Sequence, residues 1–235
     1  MITIALAEDH EKIRGGILKI LTLLPGYRVT IESVNGFCLL TKLNAIKHLP
    51  DIAVIDIEMP VMDGLSVTNY LSNQYPKIKV LAVSYHKHPA IVQDMFYAGA
   101  KGYMLKENIA PGLLAEAFTT ILSGNYFVDN CMENKTSLLA ATKNRNTETG
   151  SANPELTEKE KIFLQLTATN ISYDQIAVLM HVAKESVYNY QKSLKEKLGL
   201  GNQQELMLYA IQHGIAKVAR YNSYPRRRRF YKQVS

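Results

Sequence analysis

Between Met1 and Gly124 the sequence alternates two periods. Short apolar runs rich in β-branched residues occur at Ile2–Ala7, Tyr27–Val34, Ile52–Ile55, Ile78–Val83 and Lys101–Leu105. Stretches with apolar residues three and four apart follow them, at His10–Leu24, Phe37–Lys47, Gly64–Gln74, Pro89–Ala98 and Ile109–Leu122. Pro25-Gly26, Pro76, Gly99 and Gly124 punctuate the pattern. A strand that is apolar at every position has no face for water, so it belongs inside a sheet covered on both sides. Five strands, each followed by a helix, predict a doubly wound, five-stranded parallel sheet. No apolar run approaches the ~18–20 residues that a membrane span needs. The apolar start is cut off at once by Glu8-Asp9 and lacks the cationic flank of a secretory leader.

The pattern changes after Gly124. A stretch rich in Asn, Thr, Lys and Ser reads as a linker over residues 124–153. Four helical segments follow, at Thr157–Ala168, Tyr173–Met180, Lys184–Leu198 and Gln203–Gly214, with no strand signal among them. The expected organisation is an α/β domain over 1–123, the linker, an all-α four-helix domain over 154–216 and a tail over 217–235. Charge follows the same division. The chain is +6 overall, yet Lys217–Ser235 alone holds seven Lys or Arg and no Asp or Glu. The basic excess therefore lies in the tail, around Arg226-Arg227-Arg228-Arg229, and hints at a polyanionic partner such as DNA. Cys38 and Cys131 have no zinc-type spacing and cannot form a disulfide framework, so a reducing, cytoplasmic setting is expected.

Ligands of open parallel sheets bind outside the carboxyl ends of the strands. Reading those ends gives Glu8 and Asp9 after strand one, Asp56 after strand three, Ser84 after strand four and Lys106 after strand five. Three carboxylates, a hydroxyl and an ammonium converge on one rim. Clustered carboxylates raise each other's pKa unless a cation sits among them. An all-oxygen set that keeps some water suits Mg²⁺. An Asp carboxylate is a known nucleophile towards phosphorus, and a lysine and a metal can spread the charge of a phosphoryl group in transfer.

The segment Asp56-Ile-Glu-Met-Pro-Val-Met-Asp-Gly64, with Glu8-Asp9-His10, Ser84 and Leu105-Lys106-Glu107, resembles the receiver domain of response regulators. The resemblance implies Asp56 as phosphoacceptor. It implies Mg²⁺ held by Glu8, Asp9, Asp56 and the backbone carbonyl of Glu58. Lys106 would pair with the phosphoryl group, Ser84 would move towards it, and Tyr103 would swing inward as an aromatic switch. Glu58 and His86 occupy the positions that tune dephosphorylation in such domains. His86 and His88 lack a third metal-ligand partner and read as surface histidines.

In the second domain, Thr157 and Glu160 have the spacing of a capping box. A short helix capped by Ser172, a turn at His181-Val-Ala183 and a longer helix from Lys184 form a helix-turn-helix layout. Val187, Leu194 and Leu198 recur on the core face of the longer helix. Lys184, Tyr188, Asn189, Lys192 and Lys195 fall on the other side, where Asn can reach base edges and Lys phosphates.

Leu156-Thr-x-x-Glu160, Ile176-Ala177, Ser186-Val187, Leu194, Lys197-Leu198-Gly199 and Leu208-Tyr209-Ala210 resemble the LuxR-type helix-turn-helix. With the receiver, the whole chain is similar to a NarL/FixJ-type response regulator. That resemblance implies Tyr188, Asn189 and Lys192 at base edges, and Lys184, Ser186 and Lys195 at phosphates. It implies dimerisation around Leu206, Tyr209 and Ala210. Tyr190 stands where many relatives carry His, and Tyr188 replaces a common Lys. The partners implied are DNA, a sensor histidine kinase and a second copy of the chain, with no membrane. The expected function is phosphorylation-regulated, DNA-binding transcriptional control, not catalytic turnover. Two alternatives stand beside it. One is a phosphorylation-independent DNA binder using the receiver as a dimerisation or partner module. The other is an aspartate-nucleophile phosphatase of the haloacid dehalogenase type, which expects an Asp where Glu58 stands.

Overall fold

The structure is a computed structural model, and it describes residues 1–132, 156–169 and 171–217. Most of the expected linker and the tail, with Arg226–Arg229, lie outside these residues.

The first domain is a single parallel sheet of order β2-β1-β3-β4-β5-β6. Its strands are β1 (Ile2–Ala7), β2 (Tyr27–Ser33), β3 (Ile52–Asp56), β4 (Lys79–Ser84), β5 (Gly102–Leu105) and β6 (Phe127–Val128). Helices α1 (Glu11–Thr22), α2 (Gly36–Asn44), α3 (Gly64–Gln74), α4 (Pro89–Ala98) and α5 (Pro111–Leu122) connect them. Every residue of β3 is buried, as its unbroken apolar run requires. One face of the sheet packs on α1 and α5 through Ile17, Leu21, Leu114 and Phe118. The other packs on α2, α3 and α4 through Leu40, Leu71 and Val92.

The sheet has six strands where the sequence predicted five. Phe127 and Val128 pair in parallel with Gly102 and Tyr103. Two residues are too few to show a period, and they sit inside the stretch read as linker.

The second domain is all helical: α6 (Glu158–Thr167), α7 (Tyr173–Met180), α8 (Lys184–Leu198) and α9 (Gln203–Gln212). Thr157 and Glu160 make the expected capping box, and Ser172 makes a second with Gln175. His181 adopts a left-handed conformation, φ 53°, and turns the chain from α7 towards α8. Phe163, Ile176, Val187, Leu194 and Leu206 are fully buried and form the core. The two domains touch through α2, α3 and α7. The Asn44 amide donates to the Leu179 carbonyl at 3.2 Å and the Asn69 amide to the Ile215 carbonyl at 3.4 Å.

Candidate functional site

Four strand ends, those of β1, β3, β4 and β5, build the first site. Glu8 follows β1 and is wholly buried; Asp9 is half-buried beside it. Their backbone carbonyls accept from the Arg14 guanidinium at 2.9 and 3.4 Å, which ties the loop to α1. Asp56 ends β3, 4% exposed, and Ser84 ends β4, 2% exposed. Oxygens of Glu8, Asp9 and Asp56 lie within 4.8 Å of one another. The Lys106 ammonium reaches Glu8 at 2.6 Å and Asp56 at 2.9 Å.

The turn after Asp56 depends on a glycine. A Cβ on Gly64 would stand 2.2 Å from the Asp56 carbonyl oxygen. The Gly64 N–H instead donates to the Ile57 carbonyl at 2.9 Å, and Asp63 caps α3 by accepting from Ser66 N–H. Gly64 therefore lets α3 start directly against the acceptor strand.

Burial pushes the Asp56 carboxyl up to about 7, against the pull of Lys106. Burial also works against the Lys106 charge, but Asp56 and Glu8 outweigh it and hold its pKa above the ordinary lysine value. Removing charges from water is expensive, so this pairing is a preformed electrostatic site at a cost in stability. The donor set fits a hard divalent cation: oxygens of three carboxylates lie within 4.8 Å of one another, beside the Lys106 ammonium.

Ser84, Tyr103, Glu58 and His86 make up the rest of the rim. Ser84 Oγ accepts from His86 N–H at 3.1 Å. Tyr103 is fully buried, and its hydroxyl donates to the His86 carbonyl at 2.8 Å. Burial keeps that phenol above its ordinary pKa, hence protonated and able to donate. Glu58 turns its side chain to His86, 3.2 Å away and about half exposed. The residue that a dehalogenase-type phosphatase would use as its second acid thus pairs with a histidine instead.

The second site is the outer face of α8. Tyr188 is 49% exposed, and Asn189 and Lys192 are exposed beside it. Ser186 and Lys195 are half-buried at its edges. Tyr188 packs edge-on against Tyr173, ring centres 5.2 Å apart. Tyr190 stacks on Phe163 at 6.2 Å, so the departure at this position is absorbed by the core. Lys184 is tied to Asp174 at 2.8 Å, a partnership across the turn that sequence spacing does not reveal.

The expected dimer residues divide. Leu206 and Ala210 are wholly buried where α9 packs on the domain's own core, so these two side chains are structural in this conformation. Tyr209 is half-buried and packs against His213 with its ring tilted, centroids 4.1 Å apart. The outward face of α9 carries Gln204, Leu208 and Gln212 instead. Leu206 and Ala210 are four apart and share the inward face, which a motif match alone does not distinguish.

Comparison with known proteins agrees with this architecture. The response regulator receiver domain matches residues 4–119, and the luxR family of bacterial regulatory proteins matches residues 154–210. The chain belongs to the NarL/FixJ-type response regulators. It is 27% identical to the transcriptional regulatory protein DegU of Brevibacillus brevis, over 92% of this chain and 96% of that protein. It is 25% identical to the response regulator UvrY of Escherichia coli K12, over 95% of this chain and all of UvrY. Among solved structures, RcsB of Salmonella typhimurium shares the fold with a TM-score of 0.52 at 23% identity, over 89% of this chain and 98% of that one. This response regulator joins a receiver to a LuxR-type DNA-binding domain, and its function is DNA-binding transcriptional regulation. Among the described residues no helix is long and apolar enough to cross a membrane.

Proposed function

We propose that Asp56 accepts a phosphoryl group from the phosphohistidine of a sensor kinase, and that this controls DNA binding through α8. The observation that carries the reading is the convergence of Glu8, Asp9 and Asp56 oxygens within 4.8 Å, with Lys106 bridging Glu8 and Asp56. In the transfer an Asp56 carboxylate oxygen attacks phosphorus. The P–N bond to the donor imidazole breaks, and its electron pair stays on that nitrogen. Glu8, Asp9, Asp56 and the Glu58 carbonyl would hold Mg²⁺, which supplies positive charge against the phosphoryl oxygens. Lys106 is poised to exchange its bond to Asp56 for one to a phosphoryl oxygen. Ser84, on the neighbouring strand, is the hydroxyl nearest in the sheet order, with its Oγ held by His86 N–H. The Tyr103 hydroxyl donates to the His86 carbonyl and His86 N–H donates to Ser84 Oγ, so a movement of Ser84 would reach Tyr103 through the His86 backbone. Glu58 and His86, paired at 3.2 Å, are the side chains proposed to tune hydrolysis of the adduct.

In the second domain, Tyr188, Asn189 and Lys192 are the proposed base-reading residues. Lys184, Ser186 and Lys195 are the proposed phosphate contacts, Lys184 by leaving Asp174. An exposed ion pair is worth at most about 1 kcal/mol, so DNA can displace it. A two-fold dimer would place two α8 helices on paired half-sites. Its contact is proposed on the outward face of α9 around Leu208 and Tyr209. Residues 1–123 together with β6 (Phe127–Val128) are proposed as the receiver, 154–216 as the DNA-binding domain and 217–235 as a basic tail that adds counterion release.

The test is intact-mass measurement after incubation with acetyl phosphate and Mg²⁺, followed by DNA binding. One phosphoryl adduct on wild type and none on Asp56→Asn is expected, with tighter DNA binding of the adduct. No adduct with a kinase or with acetyl phosphate would overturn the reading. An adduct that leaves DNA affinity unchanged would favour the phosphorylation-independent alternative.

A further inference from the structure

The chain leaves the sheet beside the rim, along β6. Tyr103 carbonyl accepts from Asp129 N–H at 3.0 Å, which extends the β5–β6 ladder by one bond. There the strand ends, because the Asp129 carbonyl turns back to accept from Met132 N–H at 3.1 Å. The Asp129 carboxylate then takes over as acceptor. Its Oδ2 accepts from Leu105 N–H at 3.1 Å. Both its oxygens accept from the Asn108 amide at 3.0 Å. Its Oδ1 also accepts from Cys131 N–H at 3.0 Å.

Asp129 is 1% exposed. A carboxylate is expensive to bury, and ending an edge strand does not require one. An Asn could make the turn to Cys131, but its single oxygen could not also serve both Leu105 and Asn108. Its amide would face the donating amide of Asn108. The acceptor pattern therefore demands a carboxylate.

The donors show what the carboxylate holds. Leu105 immediately precedes Lys106, and Asn108 closes the 3₁₀ turn Lys106–Asn108. Asp129 thus braces both flanks of the lysine that bridges Glu8 and Asp56. We infer that Asp129 is a positioning residue for phosphoryl transfer, setting Lys106 through Leu105 and Asn108. This makes the start of the interdomain segment a working part of the receiver site. It rests on the reading of Asp56 as the acceptor.

The experiment measures the rate of Asp56 phosphorylation by acetyl phosphate at saturating Mg²⁺ in the full chain. Asp129→Asn is expected to slow it about tenfold, since small misplacements of a positioned group carry losses of this order or more. Asn108→Ala removes one strut and is expected to slow it less. Phe127→Ala is the control: it weakens the packing of β6, where Phe127 is 3% exposed, without touching the brace. It is expected to lower thermal stability while leaving the rate within twofold. An unchanged rate in Asp129→Asn overturns the proposal. So does an equal slowing in Phe127→Ala, which would mean that loss of stability alone explains the effect. A wild-type protein that takes no phosphoryl group would sink the acceptor reading instead. The brace is then judged by the NMR shift of the Lys106 Nζ, expected to move in Asp129→Asn and not in Phe127→Ala; no movement overturns it.

Discussion

The two functional regions of this chain are built on opposite physical terms. At the receiver rim the central working groups are nearly closed to water: Glu8, Asp56 and Ser84 are 4% exposed or less, and the Lys106 side chain is 5% exposed. On α8 Lys184, Tyr188, Asn189 and Lys192 stand in solvent, and the Lys184–Asp174 pair is on the surface. Desolvated charges act strongly and must be positioned beforehand. Exposed ones act weakly until a polyanion arrives, and they can adjust to it. Chemistry is thus stored in the rim, and reading is left to the helix.

Substitution at the acceptor gives the largest effect expected of either region. Asp56→Asn abolishes adduct formation, an all-or-none change read by intact mass. The same substitution tests the electrostatic storage. Asp56 is raised from 3.8 to about 7 by burial, so between these values the folded chain holds a proton that the unfolded chain has released. Stability of the metal-free protein therefore falls as pH rises through this window. The Asn variant is free of this penalty. Its melting temperature should exceed the wild type's at pH 8 by several degrees, and the gap should shrink at pH 5. A gap that does not depend on pH would show that the rim is not strained by charge.

Lys106→Met comes next. It leaves two buried carboxylates without their cation, and breaking a buried pair typically costs ~3–5 kcal/mol. Urea unfolding should show a loss of that order in metal-free buffer and a smaller one with Mg²⁺. A surface lysine such as Lys192 should cost less than about 0.5 kcal/mol when replaced by Met. Equal losses at the two positions would erase the contrast between the regions.

Asn189→Ala makes the reverse test. Stability should stay within about 0.5 kcal/mol of wild type, because the side chain is exposed. Specific DNA affinity should fall by ~1–3 kcal/mol, with non-specific affinity little changed. A loss equal on all sequences would make Asn189 a phosphate contact rather than a reader.

The same contrast governs what could be read from sequence. Glu8, Asp56, Ser84 and Lys106 were legible because each is the first polar letter after an apolar run, and the parallel sheet aligns those letters at one edge. The brace on Lys106 follows the same rule in a form too short to see. Phe127-Val128-Asp129 is an apolar run ending in an acid, but two residues carry no period. The reading face of α8 was legible from its 3.6-residue repeat. The Lys184–Asp174 pair was not, since it joins residues ten apart across a turn. Nor was the burial of Leu206 and Ala210, where a repeat marks a face without saying whether the chain's own core or a partner covers it.

Glu160 is where the second domain adopts the terms of the first, and it gives the smallest effect. Its carboxylate is largely buried at the start of α6; it accepts from Thr157 N–H at 2.7 Å and from Lys197, near the end of α8, at 3.0 Å. Burial works to raise its pKa, but the Thr157 N–H and Lys197 outweigh burial and hold it below the usual glutamate value. A depressed carboxyl contributes stability above its unfolded pKa, and that contribution is lost as pH falls through the folded value. Gln can also complete a capping box, so Glu160→Gln removes the charge while keeping the acceptor. The variant should lose about 1 kcal/mol near pH 7, and the difference from wild type should vanish on acidification below the glutamate range. Thermal unfolding at a series of pH values reads both. If the deficit persists in acid, the cap's shape and not its charge fixes α6 to α8, and the second domain holds no counterpart to the rim's buried electrostatics.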